Sequence, residues 1–249
     1  MKHFPGSKVP AVLLLALGAA VISGLLYPGD TGYSLTQNYF SDLGMTVTRD
    51  GGENLAGSLL FLGTCGAFGY AAWRYARLLG SVDRENADRG PGGEQTPGDG
   101  QTPGGDQLPA DSPEGGALSG GSLGVVVARS GVLIGGFLTA VFFLLTGLTP
   151  KNLLFDLHNW VSYSAFLALM LLWVSAALFG PPGWPRGIHL SMVLLSAGYL
   201  AVLFSRPSWE MPEGWALQVV AQKIVVIGNW LGLLLGSTLF PKAIVSRET

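Results

Sequence analysis

Charged residues are scarce in this chain of 249 residues: Asp, Glu, Lys and Arg make up 12%, while 49% are hydrophobic. The mean hydropathy is +0.42. A soluble domain carries roughly 25% charged residues to cover its surface. About half that fraction does not cover a water-facing globule, so we exclude a soluble globular fold and predict an integral membrane protein.

Cysteine and histidine are also scarce, with one Cys and three His in the chain. One cysteine excludes an intramolecular disulfide and a multi-cysteine metal site. A zinc centre needs roughly three protein ligands, and only His158 of the three histidines is expected on the outer side, so such a centre would depend on carboxylates. The net charge of -2 lacks the excess of Lys and Arg found in nucleic-acid-binding proteins. We therefore expect no metal, no cofactor and no nucleic-acid partner.

Long apolar runs, in contrast, are abundant. A membrane-spanning helix needs roughly 20 mostly apolar residues, and these runs lack the apolar/polar alternation of barrel strands. The predicted fold class is therefore all-α, a polytopic membrane protein with a bundle of six transmembrane helices. The predicted spans are 9–27, 55–76, 123–148, 157–179, 188–204 and 215–239.

The distribution of basic residues predicts the orientation of these spans. The first span follows two lysines, as a signal peptide does, but no small-x-small cleavage motif comes after it, so we expect a retained helix. With the N-terminus inside, ten of the 14 Lys and Arg residues fall on the cytoplasmic side, as the positive-inside rule requires. The four exceptions are Arg49, Lys151, Arg206 and Lys223. We predict a multi-pass protein of the inner (plasma) membrane with both termini cytoplasmic.

The chain divides into three parts. Residues 1–80 hold the first two helices and an outer loop at 28–54, and residues 122–249 hold helices three to six. Between them, residues 81–121 are rich in Gly and Pro and repeat the unit Gln-Thr-Pro-Gly. This composition offers little apolar surface to offset the entropy of ordering, so it predicts a disordered cytoplasmic linker.

The outer loop contains an acidic residue close to the membrane, in the run Asn38-Tyr-Phe-Ser-Asp-Leu-Gly. In one interpretation Ser41 or Asp42 caps a short helix, or Gly44 adopts positive φ in a turn. In the other, Asp42 lies at the mouth of the helix bundle and accepts a buried cation.

Two further groups of polar residues lie at the start of the fourth predicted helix and in the sixth. Asp156 is placed to cap the fourth helix, with His158 and Asn159 in its first turn; His158 is either a hydrogen-bonded structural residue or a catalytic one. In the sixth helix, Gln222 and Lys223 belong to a polar stripe, and the lysine either reaches the interface or pairs with an acid. A stripe of amides facing lipid is costly, so we expect it to face the bundle. The amides of the stripe are Gln218, Gln222 and Asn229.

Three spans are rich in glycine, which predicts close helix packing. The glycines are Gly57, Gly63, Gly66 and Gly69 in the second span, Gly131, Gly135 and Gly136 in the third, and Gly228, Gly232 and Gly236 in the sixth.

Three of these motifs together resemble a known family. They are the Ser-Asp-Leu-Gly run that ends at Gly44, the Leu-His-Asn run at 157–159, and the Ala-Gln-Lys-Ile run at 221–224. The pattern resembles the bacterial and archaeal membrane family called domain of unknown function 998. That resemblance implies a helical membrane fold and a polar site but no reaction. Lys223 stands where the family pattern has arginine, which weakens bidentate pairing to a carboxylate.

We therefore predict an outward-facing polar cluster that stabilises the bundle and binds a lipid or small ligand. In it Asp42 pairs with Lys223 or His158. The first alternative is a membrane enzyme acting on a lipid head group, with Asp42 and His158 as acid/base pair and Lys223 as electrostatic stabiliser; the second is a small transporter. We favour the non-enzymatic role because no nucleophile motif is present. The cluster comprises Asn38, Ser41, Asp42, His158, Asn159, Gln222 and Lys223.

Overall fold

The computed structural model describes residues 8–30, 32–88, 120–179, 184–204, 210–211 and 215–245. Within these ranges the chain forms six α-helices, and five of them are long and apolar enough to cross a membrane. The predicted class, a helical membrane bundle, is confirmed. The helices are α1 (Val9–Leu25), α2 (Leu55–Asp88), α3 (Gly120–Leu148), α4 (Phe155–Phe179), α5 (Trp184–Phe204) and α6 (Leu217–Val245).

All six helices differ from the predicted spans by two or more residues at one end at least. Helix α1 has 17 residues and ends at Leu25, so at 1.5 Å per residue it covers roughly 26 Å, slightly less than the ~30 Å hydrocarbon layer. Helix α2 continues to Asp88 and α3 begins at Gly120, so both helices extend into the segment 81–121 that was predicted as a disordered linker. Residues 89–119 of that segment lie outside the described residues. Before α6, the strands β1 (Glu210–Met211) and β2 (Trp215–Ala216) pair in antiparallel register.

Neighbouring helices along the chain also pack side by side. Helix α2 contacts α1 and α3, α3 contacts α4, α4 contacts α5, and α5 contacts α6. Helix α6 also contacts α1 and α2, which closes the bundle. The core between the helices combines aromatic rings, which bury large apolar areas, with alanine, valine and leucine side chains. Its largest buried rings include Phe61, Tyr75 and Trp173.

The C-terminal end of α4 is capped by side chains of α5. The last carbonyls of a helix have no partner within the helix. Arg186 Nε donates to the Ala177 carbonyl at 2.7 Å, and His189 Nδ1 lies 3.1 Å from the Ala176 carbonyl. The other ring nitrogen of His189 lies 2.6 Å from the Tyr75 hydroxyl, so this histidine ties three helices together.

The opposite end of the bundle, called here the loop end, holds the loop after α1, the turn between α3 and α4, and the start of α6. A 3-10 helix, Phe40–Gly44, lies in that loop and packs against α2. A Cβ on Gly44 would lie 2.5 Å from the Phe61 ring. Close packing thus explains the glycine, and the positive φ values in the loop belong to Gly29, Gly32 and Gly51 instead.

Candidate functional site

Asp42 is the charged centre of the loop end and is fully buried. Its Oδ2 accepts the backbone N–H of Tyr39 at 2.9 Å, which caps the 3-10 helix. Its Oδ1 accepts Lys151 Nζ at 2.7 Å, and Oδ2 also accepts Arg49 Nη2 at 3.3 Å. The two interpretations of Asp42 thus hold in part: Tyr39 is the N-cap residue and Asp42 caps it from position N3, and the carboxylate also accepts Lys151, a cation that is 11% exposed.

The predicted partners of Asp42, Lys223 and His158, are wrong. Lys223 Nζ donates to the Asn38 carbonyl and lies 5.4 Å from the centre of the Tyr33 ring. His158 contacts the turn between α3 and α4 through the backbone of Thr149. The carboxylate instead pairs with Arg49 of its own loop and with Lys151 of that turn.

The polar stripe of α6 faces the bundle, as predicted. Gln222 Oε1 accepts the Phe40 N–H at 2.7 Å, and Gln218 Oε1 accepts the Tyr39 hydroxyl at 2.9 Å. Deeper in the bundle, Asn229 is fully buried and accepts the indole N–H of Trp173. The upper part of the stripe therefore holds the loop against α6, while the lower part joins helices.

His158 is buried in the first turn of α4, with 1% of its surface exposed. Its Nδ1 lies 2.6 Å from the carbonyl oxygen of Thr149. A carbonyl oxygen only accepts, so Nδ1 carries the proton. Its Nε2 has no hydrogen-bond partner, and neither does the Oγ of Ser162 one turn further along the helix.

A polar cavity of about 290 Å³ lies at the loop end between α4, α5, α6 and the loop. This volume is close to the lower limit of small-molecule pockets, roughly 300 Å³. Basic, hydroxyl and amide side chains dominate its wall, and none of the lining residues that the structure describes is acidic. They are Tyr39, Ser41, Arg49, Lys151, Phe155, His158, Asn159, Ser162, Tyr163, Tyr199, Leu203, Gln218 and Gln222.

Four of the seven predicted site residues line this cavity. They are Ser41, His158, Asn159 and Gln222. The other three do not line it: Asp42 accepts a hydrogen bond from Lys151, and Lys223 donates one to the backbone carbonyl of Asn38.

The sequence prediction missed the two cations of the cavity wall, Arg49 and Lys151. Both belong to the four basic residues that the positive-inside rule placed on the minority side. Their position on the minority side was the signal in the sequence that could have identified them, because a basic residue on the disfavoured side indicates a structural or binding role.

Two tyrosines of the loop remain neutral over a wide pH range. Burial raises the pKa of Tyr39, and the negative charge of Asp42 raises it further, while Arg49 lowers it. Burial, and then Asp42, likewise raise the pKa of Tyr33. The centre of the Tyr39 ring also lies 4.3 Å from Lys151 Nζ. This is a cation–π contact. Tyr39 thus offers the cavity a neutral hydroxyl rather than a phenolate.

No group of three or more His, Cys, Asp or Glu side chains in the described ranges is placed to hold a metal ion. The cavity wall provides hydrogen-bonding groups and positive charge.

Comparisons with protein-family models, with curated proteins and with solved structures found no match for this chain. Membership of domain of unknown function 998 stays a prediction from the three short motifs.

Proposed function

We propose that this membrane protein binds an anionic phosphate group, that of a phospholipid head group, in the cavity at the loop end. One observation carries the proposal: a cavity of about 290 Å³ is lined by Lys151 and Arg49, and none of its described lining residues is acidic. Lysine and arginine supply the charge-assisted donors that recognise phosphate.

The charge balance of the cavity wall favours an anion. Lys151 and Arg49 carry two positive charges, and Asp42 behind them carries one negative charge. One positive charge remains, and both cations keep donors beyond those given to Asp42. Lys151 is 11% exposed and Arg49 59%, so Lys151 forms the inner contact and Arg49 the rim.

The contacts of Asp42 and His158 do not support the acid/base pair that the enzyme alternative requires. Both carboxylate oxygens of Asp42 are engaged by N–H donors, and His158 is oriented by a backbone carbonyl and not by Asp42. The transporter alternative gains no support, since the cavity lies at one end and the buried amide of Asn229 is bonded to Trp173 and Val225.

We also propose the orientation predicted from the basic residues. The loop end then faces the outer side of the inner (plasma) membrane, both termini are cytoplasmic, and the bilayer is both environment and ligand source. The positive-inside bias supports this arrangement.

The experiment is lipid binding by native mass spectrometry, with the protein purified in a neutral detergent. Phosphatidylmethanol carries one negative charge and should bind more tightly than zwitterionic phosphatidylcholine. Arg49→Gln should weaken that binding several-fold, because the exposed arginine contributes charge at the rim but little to folding. Arg77→Gln is the matched control, since Arg77 is exposed on α2 outside the cavity. Equal binding of the two lipids would overturn the proposal.

A second variant tests the inner cation without stranding a buried charge. Asp42→Asn combined with Lys151→Gln removes both members of the ion pair together. A folded double variant should lose the preference for phosphatidylmethanol. A preference that persists in both this variant and Arg49→Gln would contradict phosphate binding at these cations.

A further inference from the structure

Two residues that line the cavity each have a buried polar atom without a hydrogen-bond partner, His158 Nε2 and Ser162 Oγ. These atoms indicate which groups the ligand has in addition to its negative charge. His158 Nδ1 donates to the Thr149 carbonyl. Burial disfavours a charged imidazolium, so the ring is neutral and presents only a lone pair at Nε2. Nε2 is buried and lacks a hydrogen-bond donor, and His158 is one of the residues that line the cavity. A buried acceptor without a donor is unfavourable, and a ligand that supplies one gains affinity.

Ser162 provides a second such atom on the same face of α4. Helix serines usually donate to the carbonyl four residues before them, and Ser164 does so to Trp160 at 2.9 Å. The Ser162 hydroxyl instead is buried without a partner, and Ser162 is one of the residues that line the cavity. It can both donate and accept, so it complements a ligand hydroxyl beside the imidazole.

We propose that the ligand is a phosphate ester with a free hydroxyl group, of the polyol-phosphate type. Its phosphate contacts Lys151 and Arg49, and its hydroxyl donates to His158 Nε2 and exchanges a hydrogen bond with Ser162. This inference rests on the proposed function, because the phosphate contact positions the hydroxyl. The same chemistry occurs in a lipid head group and in a free polyol phosphate.

Phosphatidylglycerol and phosphatidylmethanol test the hydroxyl directly. Each is a phosphodiester with one negative charge, and only phosphatidylglycerol has free hydroxyls. Competition by native mass spectrometry should show a preference of roughly five- to tenfold for phosphatidylglycerol, the effect of one good hydrogen bond. Equal binding of both, each above phosphatidylcholine, would overturn the hydroxyl inference and leave the phosphate site standing. Binding of neither above phosphatidylcholine would overturn both.

Variants of His158 and Ser162 on α4 test whether the preference for phosphatidylglycerol depends on these two side chains. Ser162→Ala and His158→Phe should each reduce the preference for phosphatidylglycerol over phosphatidylmethanol, measured as the ratio of the two affinities within each variant. Ser162→Ala removes a hydroxyl that bonds to nothing in the protein, so it keeps the fold if His158→Phe does not. Ser164→Ala is the matched control on the same helix and should keep the preference. An undiminished preference in both Ser162→Ala and His158→Phe would overturn the inference.

The source of the ligand is settled by two soluble probes. Isothermal titration with glycerol 3-phosphate and with methyl phosphate repeats the comparison without acyl chains. A preference for glycerol 3-phosphate at an affinity equal to that of the lipid supports a free polyol phosphate as ligand. A preference seen only with the lipids supports a head group. The absence of any preference in either series contradicts the inference.

Discussion

At the scale of single residues, Asp42 shows how a buried charge is made tolerable. An ionised carboxylate out of water is stable only when charged and hydrogen-bonded groups surround it. Here the Tyr39 N–H, Lys151 and Arg49 occupy both of its oxygens. The carboxylate therefore joins the loop to the turn between α3 and α4, and in doing so it positions the inner cation of the cavity.

Asp42→Ala is expected to destabilise the protein by about 3 kcal/mol, the usual effect of breaking a buried ion pair. The loss comes mainly from Lys151, which is 11% exposed and is left without its counter-ion. Thermal unfolding in detergent, followed by circular dichroism, measures the change.

Asp156→Ala is the matched control for that substitution. Asp156 is an exposed carboxylate in the first turn of α4, so its removal affects only the helix dipole, by at most about 1 kcal/mol. A melting temperature lowered equally by both substitutions would contradict the special role of Asp42.

At the scale of helices, glycine determines how closely α2, α3 and α4 approach. A Cβ on Gly69 of α2 would lie 2.9 Å from the Cα and carbonyl oxygen of Ala140 on α3. A Cβ on Gly135 of α3 would lie 2.7 Å from the backbone nitrogen of Leu172 on α4. Backbone atoms cannot rotate away as side chains do, so these contacts require glycine.

Gly69→Ala should therefore separate α2 from α3 and lower stability by about 1–3 kcal/mol, as overpacking does. Gly63→Ala on the same helix is the control, because a Cβ there meets nothing within 4 Å. Alanine has the higher helix propensity, so that control should be neutral or slightly stabilising. Unfolding temperatures of the two variants give the comparison, and a neutral Gly69→Ala would contradict the packing argument.

Spacing in the sequence predicted the direction of α6 correctly, and it predicted the packing role of the glycines in α2, α3 and α6 in part. Gln222 and Asn229, seven residues apart, are both buried. Gly63, in contrast, was predicted to pack against a neighbour and does not. Periodicity indicates which residues share a face of a helix, but which glycines meet a neighbour depends on where two helices cross.

At the scale of the whole molecule, three of the four basic residues that oppose the charge bias lie at the loop end. They bind Asp42 or the Asn38 carbonyl, and they are Arg49, Lys151 and Lys223. The fourth, Arg206, lies outside the described residues. The residues that disagree with a simple orientation rule are thus the ones used to build the site.

The orientation is tested by cysteine labelling with a membrane-impermeant maleimide. Cys65 is the single cysteine and is 4% exposed, so the background is low. Leu153→Cys places a thiol at an exposed position of the loop end and should react in intact cells. Gln95→Cys, in the segment between α2 and α3, should react only after permeabilisation. The reverse pattern would contradict cytoplasmic termini.

The amino-acid sequence alone was sufficient to predict the membrane bundle and the inward direction of the α6 stripe. Both follow from hydropathy and periodicity, which are properties of adjacent residues in one segment. The partners of Asp42 were not predictable in this way. Asp42 and Lys151 are 109 residues apart, and they meet because a loop and a turn from different helix pairs fold over the same end. Ion pairing acts over a few ångströms, so only the tertiary structure decides which of several cations reaches the carboxylate.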